Sequence, residues 1–155
     1  MPPRRYRSRE SLQVALDNFK DLENGPGKDL LMLCDYKPST EEDIAAALEA
    51  CTADDMKLVD RFQKQSALCL LAAKHDFPGL IAKFVDKGAE INYQDGEKCT
   101  ALTLAVLNGH TATVRVLVNK GADVSLQSCE GETPLDIAKE DENQEMIAIL
   151  EQASA

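Results

Sequence analysis

Two unrelated blocks of this chain recur at one interval. Gly88-Ala89-Glu90-Ile91 returns as Gly121-Ala122-Asp123-Val124, and Thr100-Ala101-Leu102-Thr103-Leu104-Ala105 returns as Thr133-Pro134-Leu135-Asp136-Ile137-Ala138, each 33 residues later. A fixed period of this length constrains the fold more than local propensity does, because each period is one supersecondary unit that buries its apolar face only by stacking on neighbours. The punctuation inside the period is helical. Thr133 can N-cap a helix, Pro134 presets the dihedral at its first position, and Asp136 completes a capping box. Gly109 ends the corresponding helix one period earlier, and Gly88 and Gly121 end second helices where a left-handed residue is commonly required. Leu102, Ala105, Val106, Val114, Leu117 and Val118 are apolar at helical spacing on those two helices. Aromatic residues make up 5% and Trp is absent, so the core must be aliphatic, which favours helices packed closely through small side chains.

Asn108-Gly109-His110, followed by Val114, Leu117 and Gly121-Ala122-Asp123, together with the opening Thr133-Pro134-Leu135, resembles the ankyrin-repeat family. That family's repeat is about 33 residues long, opens on T-P-L-H-x-A and consists of a β-turn and two helices. Ser66-Ala67-Leu68-Cys69 is similar to an earlier opening; Ser66 to Thr100 is 34, so one residue is inserted near Ala73 to Asp76. Ile44 and Leu48 correspond to Leu80 and Phe84 at a spacing of 36, with the extra length between Cys51 and Ser66. The resemblance implies an all-α ankyrin-repeat solenoid of about four helix-turn-helix repeats with short β-turn fingers, at about 28–60, 61–94, 95–127 and 128–155. The last is a cap whose polar outer face runs from Lys139 to Glu145. Residues 1–27 stand outside the repeat as an Arg-rich tail and a short helix from Glu10 to Leu22, ended by the breaker Gly25-Pro26-Gly27.

Charge narrows the partner. The chain carries 17 Lys and Arg against 27 Asp and Glu, and Arg4, Arg5, Arg7 and Arg9 all precede the first acid, Glu10. The body that remains repels phosphate backbones, so a protein partner with a basic or mixed surface is expected, and nucleic acid is not. No apolar run approaches the roughly 20 residues of a membrane helix, and no membrane association is expected. Cys34, Cys51, Cys69, Cys99 and Cys129 are odd in number and widely spaced, which points to a reducing compartment and a cytoplasmic protein. The arginines of the tail leave nuclear entry open as an alternative to a docking tail or a solvated end. Ser8 is either a kinase acceptor or an N-cap.

No chemistry-bearing constellation emerges. Cys69 lies within a first helix and is expected to be core, whereas Cys99 and Cys129 lie near turns and are expected to be exposed. No metal, cofactor or catalytic group is expected: neither His75 nor His110 has a triad partner at suitable spacing, and the resemblance implies a structural bond between repeats at the position that His110 matches and His75, shifted by the insertion, does not quite match. The chain is expected not to be an enzyme, since a thin stack of helix pairs provides no deep pocket.

The family resemblance implies a protein-binding adaptor or inhibitor that uses turn tips and first-helix outer sides along a concave face. Carried onto this chain, those positions are Phe62, Gln63, Lys74, Gln94, Gly96, Glu97, Leu107, Asn108, Gln127, Cys129, Glu130, Glu132, Glu140 and Asp141. Phe62 and Leu107 are the expected apolar anchors, and the acids form a rim. A second reading is a dedicated subunit of a larger assembly, docked through Leu12, Leu16 and Phe19 of the N-terminal helix, residues that equally suit a cap on the first repeat. Phe84 followed by Glu90-Ile91-Asn92 resembles an asparagine-hydroxylation site of ankyrin repeats, which makes Asn92 a candidate for modification; otherwise its side chain bonds within its own turn.

Overall fold

The computed structural model describes residue 17 and residues 19–36 and 39–155. The expectations for Arg4 to Arg9, Ser8, Leu12, Leu16 and most of the helix over 10–22 lie outside the described residues.

Among the described residues eight α-helices follow in pairs: α1 (Pro26–Asp35) and α2 (Glu41–Ala50), α3 (Ala67–Lys74) and α4 (Pro78–Asp86), α5 (Ala101–Leu107) and α6 (Thr111–Asn119), α7 (Pro134–Glu140) and α8 (Gln144–Ser154). The hydroxyls at the repeat openings act as the sequence dictates. Ser66 accepts from the Cys69 N–H, Thr100 from Thr103, and Thr133 from Asp136, whose carboxylate returns the bond to the Thr133 N–H. Each such cap stabilises its helix by about 1 kcal/mol.

The helices stack in two layers. The first helices α1, α3, α5 and α7 pack successively against one another, and so do the second helices α2, α4, α6 and α8. Leu31, Leu68, Leu71, Leu102 and Ala105 are buried between first helices, and Ile44, Leu80, Phe84, Val114 and Leu117 between second helices. Ala72 and Val106 are buried, whereas Lys139 at the equivalent place in α7 is exposed and faces Glu151 of α8 at 3.8 Å. The stack therefore ends on a polar surface.

Gly88 and Gly121 occupy matching places in adjoining layers. Their φ angles are +106° and +89°, and after each the next amide reaches back over the helix end: Ala89 N–H to Phe84 O, and Ala122 N–H to Leu117 O, both at 3.0 Å. The left-handed turn after α5 is taken by Gly109, but the same turn after α7 is taken by Glu142 at φ +55°. An L-residue there is strained by about 1 kcal/mol, so Glu142→Gly should stabilise the fold by roughly that amount. A urea midpoint that stayed unchanged or fell would contradict this.

The first pair departs from the expected pattern. Gly25-Pro26-Gly27, expected as a breaker, opens a helix: Gly25 is the N-cap of α1 and Pro26 its first residue. Proline loses nothing there, because the first amides of a helix have no intrahelical partner. The capping box of this pair belongs to the second helix, where Thr40 and Asp43 bond reciprocally at the start of α2. Phe19 is fully buried in the same core.

Candidate partner-binding surface

Each first helix from α3 onward is entered through a tight finger. Asp60, Asp95 and Ser128 begin the three fingers, and in each the opening amide bonds to a carbonyl at the far side: Asp60 to Gln65, Asp95 to Cys99 and Ser128 to Glu132. The residue before that carbonyl is left-handed in every case, Lys64, Lys98 and Gly131. The first finger is thus one residue longer than the others. That longer finger carries Phe62, 66% exposed, with the Arg61 guanidinium 5.7 Å from its ring centre.

Side chains at the finger bases do the organising. Asp60 is buried and accepts from the amides of Phe62, Gln63 and Gln65 at 2.9, 2.9 and 2.7 Å. Asp95, also buried, accepts from Glu97 and Cys99 amides at 2.9 Å and from Gln65 Nε2 at 3.1 Å. Ser128 performs the same task with one bond, from Glu130 N–H at 3.3 Å. Neither aspartate is singled out by the repeat pattern, although an Asp two residues before a turn amide is a side-chain turn signal in its own right.

The fingers are zipped to one another by backbone. Gly96 N–H donates to Gln63 O at 2.7 Å and Cys129 N–H to Glu97 O at 2.9 Å. Gly96 is a glycine because of this approach: a Cβ there would lie 3.0 Å from the Gln63 carbonyl oxygen. Gln94 Nε2 donates to Lys98 O and to Gln127 O, 2.9 and 3.2 Å away, the second a further tie between neighbouring repeats. Asn108 Nδ2 donates to Leu104 O at 2.8 Å and finishes α5. The Lys74 ammonium stands 3.8 Å from Asp35, whose carboxyl is nonetheless pushed up, because burial outweighs a cation at that distance.

What remains outward is a set of side chains without an internal task. Phe62 and Leu107 are the exposed large hydrophobic residues among those described, Leu107 at 51%. Gln63, Glu97, Gln127, Cys129, Glu130, Glu140 and Asp141 are exposed, and Glu132 is half-buried. Five of the expected positions, Glu97, Leu107, Cys129, Glu130 and Glu132, line one cavity of about 160 Å³ between the second and third fingers. Cys99, Ser128 and Ile137 complete its lining and were not expected there.

Three further expectations meet the structure differently. Cys99 is buried, not exposed, because the Asp95 carboxylate draws its amide inward and closes the finger over it. Asn92 does not bond within its own turn; its Oδ1 accepts from the Asp123 N–H of the next repeat at 2.8 Å, since stacking sets equivalent turns side by side. Both histidines bridge repeats, but by different atoms. His110 Nδ1 donates to Ala72 O at 2.8 Å, and His75, which directly follows α3, one residue longer than α5, uses Nε2 toward Cys34 O at 3.1 Å.

Thiol chemistry separates along the same lines. Burial foremost pushes Cys51 and Cys69 up to about 11 and Cys99, beside the Asp95 and Glu97 charges, up to about 12. Burial also raises Cys34 well above the ordinary thiol value, and Cys129 is exposed. An aromatic disulfide reagent at neutral pH should therefore titrate Cys129 rapidly and the other four only on unfolding. Unfolded thiols ionise near about 8.5 while these keep their protons longer, so stability is full below that value and declines as pH rises toward the folded values. Rapid reaction of Cys99 in the native protein would contradict its placement.

A sequence profile of ankyrin repeats, in three copies, matches residues 68–154. Among curated proteins the chain is 46% identical over 56 residues to the palmitoyltransferase ZDHHC17 of Danio rerio, covering 36% of this chain and 9% of that protein. It is 32% identical over 65 residues to the ankyrin repeat-containing protein P1E11.10 of Schizosaccharomyces pombe, covering 42% of this chain and 31% of that one. The chain thus spans between a tenth and a third of the length of these relatives. Matching caps, left-handed glycines and inter-repeat histidine bonds in successive layers agree with the profile, and the chain belongs to the ankyrin-repeat family.

Proposed function

We propose that the chain is an adaptor or inhibitor that binds a partner protein along the face formed by its fingers and first helices. Ankyrin repeats generally mediate protein–protein interaction, and the family is typically non-catalytic. The observation that carries the finer reading is the outward position of Phe62 and Leu107 beside side chains that no fold-stabilising contact requires. Large apolar groups flanked by acids supply buried anchors and a charged rim, the division of labour found in energetically focused interfaces. The rim's sign suits a partner with a basic or mixed surface.

Burial of Phe19 supports a capping role for the segment before α1 over a docking one. A dedicated subunit bound through that segment is the weaker reading.

The test is Leu107→Arg. Leu107 is half exposed, so the variant should keep its thermal midpoint while partner affinity falls about 30-fold or more, the loss of one anchor. Undiminished affinity of a folded variant would move the interface off this face.

A further inference from the structure

The cavity between the second and third fingers has a floor and a rim of opposite character. Leu107 at the end of α5, Ile137 of α7 and Cys99 make the floor apolar. Glu97 from one finger and Glu130 and Glu132 from the next make the rim anionic, and no Lys or Arg lines it. None of the three carboxylates is hydrogen-bonded or ion-paired among the described residues. Acidic neighbours hold the Glu132 carboxyl above its usual range, the Glu140 charge foremost, then desolvation and the charges of Glu130 and Asp136. At about 160 Å³ the cavity is one side chain in size, below the roughly 300 Å³ and more of a metabolite site.

These properties select an occupant. An acidic side chain is repelled, and a purely apolar one would strip water from the rim without replacing it. A long side chain with a methylene stem and a cationic head satisfies both parts, because such residues lay their stems on apolar surface and keep the charge at its edge. We propose that this cavity receives one Lys or Arg side chain from an exposed segment of a partner protein, its stem on Leu107 and Ile137 and its head among Glu97, Glu130 and Glu132. The inference rests on the binding face proposed above and adds the residue that the face reads.

The experiment pans a random 12-residue peptide library displayed on phage against the full chain and measures the synthetic winners by fluorescence anisotropy. The expected winners share a basic residue at one position. Replacing it with norleucine, which keeps the stem and removes the charge, and the Glu130→Gln/Glu132→Gln double substitution should each weaken binding about tenfold or more, with an unchanged melting midpoint of the protein. Raising salt toward about 0.5 M should weaken it further. Winners without a fixed basic residue, no winners at all, or affinity undiminished by the double substitution would overturn the assignment. If such winners lose affinity on Phe62→Ser, only the cavity assignment fails. If they bind undiminished to Phe62→Ser and to Leu107→Arg, the proposed face fails with it.

Discussion

Leu117→Ala is expected to destabilise the protein by about 2 to 5 kcal/mol, the range for emptying a close-packed aliphatic site. Leu117 is fully buried in α6, and α6 is held between α4 and α8, so the missing methyls would be lost to both neighbours. In a linear stack that loss is felt as a weakened interface on each side, with α7 and α8 the first to separate. Denaturant titration followed by circular dichroism should show a lowered midpoint, and amide exchange should show α8 losing protection before α3. A variant with the parental midpoint would mean that this side chain does not bridge layers.

Asp95→Ala is expected to cost about 3 to 5 kcal/mol, although it removes no apolar contact. The carboxylate satisfies the amides of Glu97 and Cys99 and the amide group of buried Gln65. Alanine leaves three donors without their acceptor, each costing about 1 to 3 kcal/mol when dry, partly relieved by water entering from the finger tip. Asp95→Asn retains one acceptor oxygen and should recover a good part of the loss. The consequence extends to the surface, since this carboxylate sets the finger that presents Glu97 and shelters Cys99. Equal midpoints for Asp95→Ala and the parent would show the finger to be held by its backbone bonds alone.

Much of the fold is legible in the order of residues because the elements that punctuate a helix act locally. A threonine oxygen captures an amide three residues on, and a glycine accepts a left-handed turn where the helix stops. Those requirements are the same in every layer, so Ser66, Thr100 and Thr133, or Gly88 and Gly121, announce the architecture wherever they recur. The exposed anchors are legible for the complementary reason: Leu107 is a large apolar residue at the end of a helix whose inward stripe is already complete. Pro26 misleads because a Gly-Pro-Gly run breaks a helix from one side and begins one from the other, and only the packing of α1 on α3 selects the second.

By itself the sequence determined the period, the helix pairs of the last three repeats, the hydroxyl caps that open them and the sign of the surface. The tertiary structure alone decided that Asp95 also holds Gln65 of the finger before it, that Cys99 is enclosed, that Asn92 serves the following turn, and that Ile137 joins Leu107 beneath three glutamates. Each of those contacts joins one finger, turn or helix to the next across the stack, or depends on which wall of a turn meets its neighbour. The angle at which one layer leans on another sets them, and no residue encodes that angle locally.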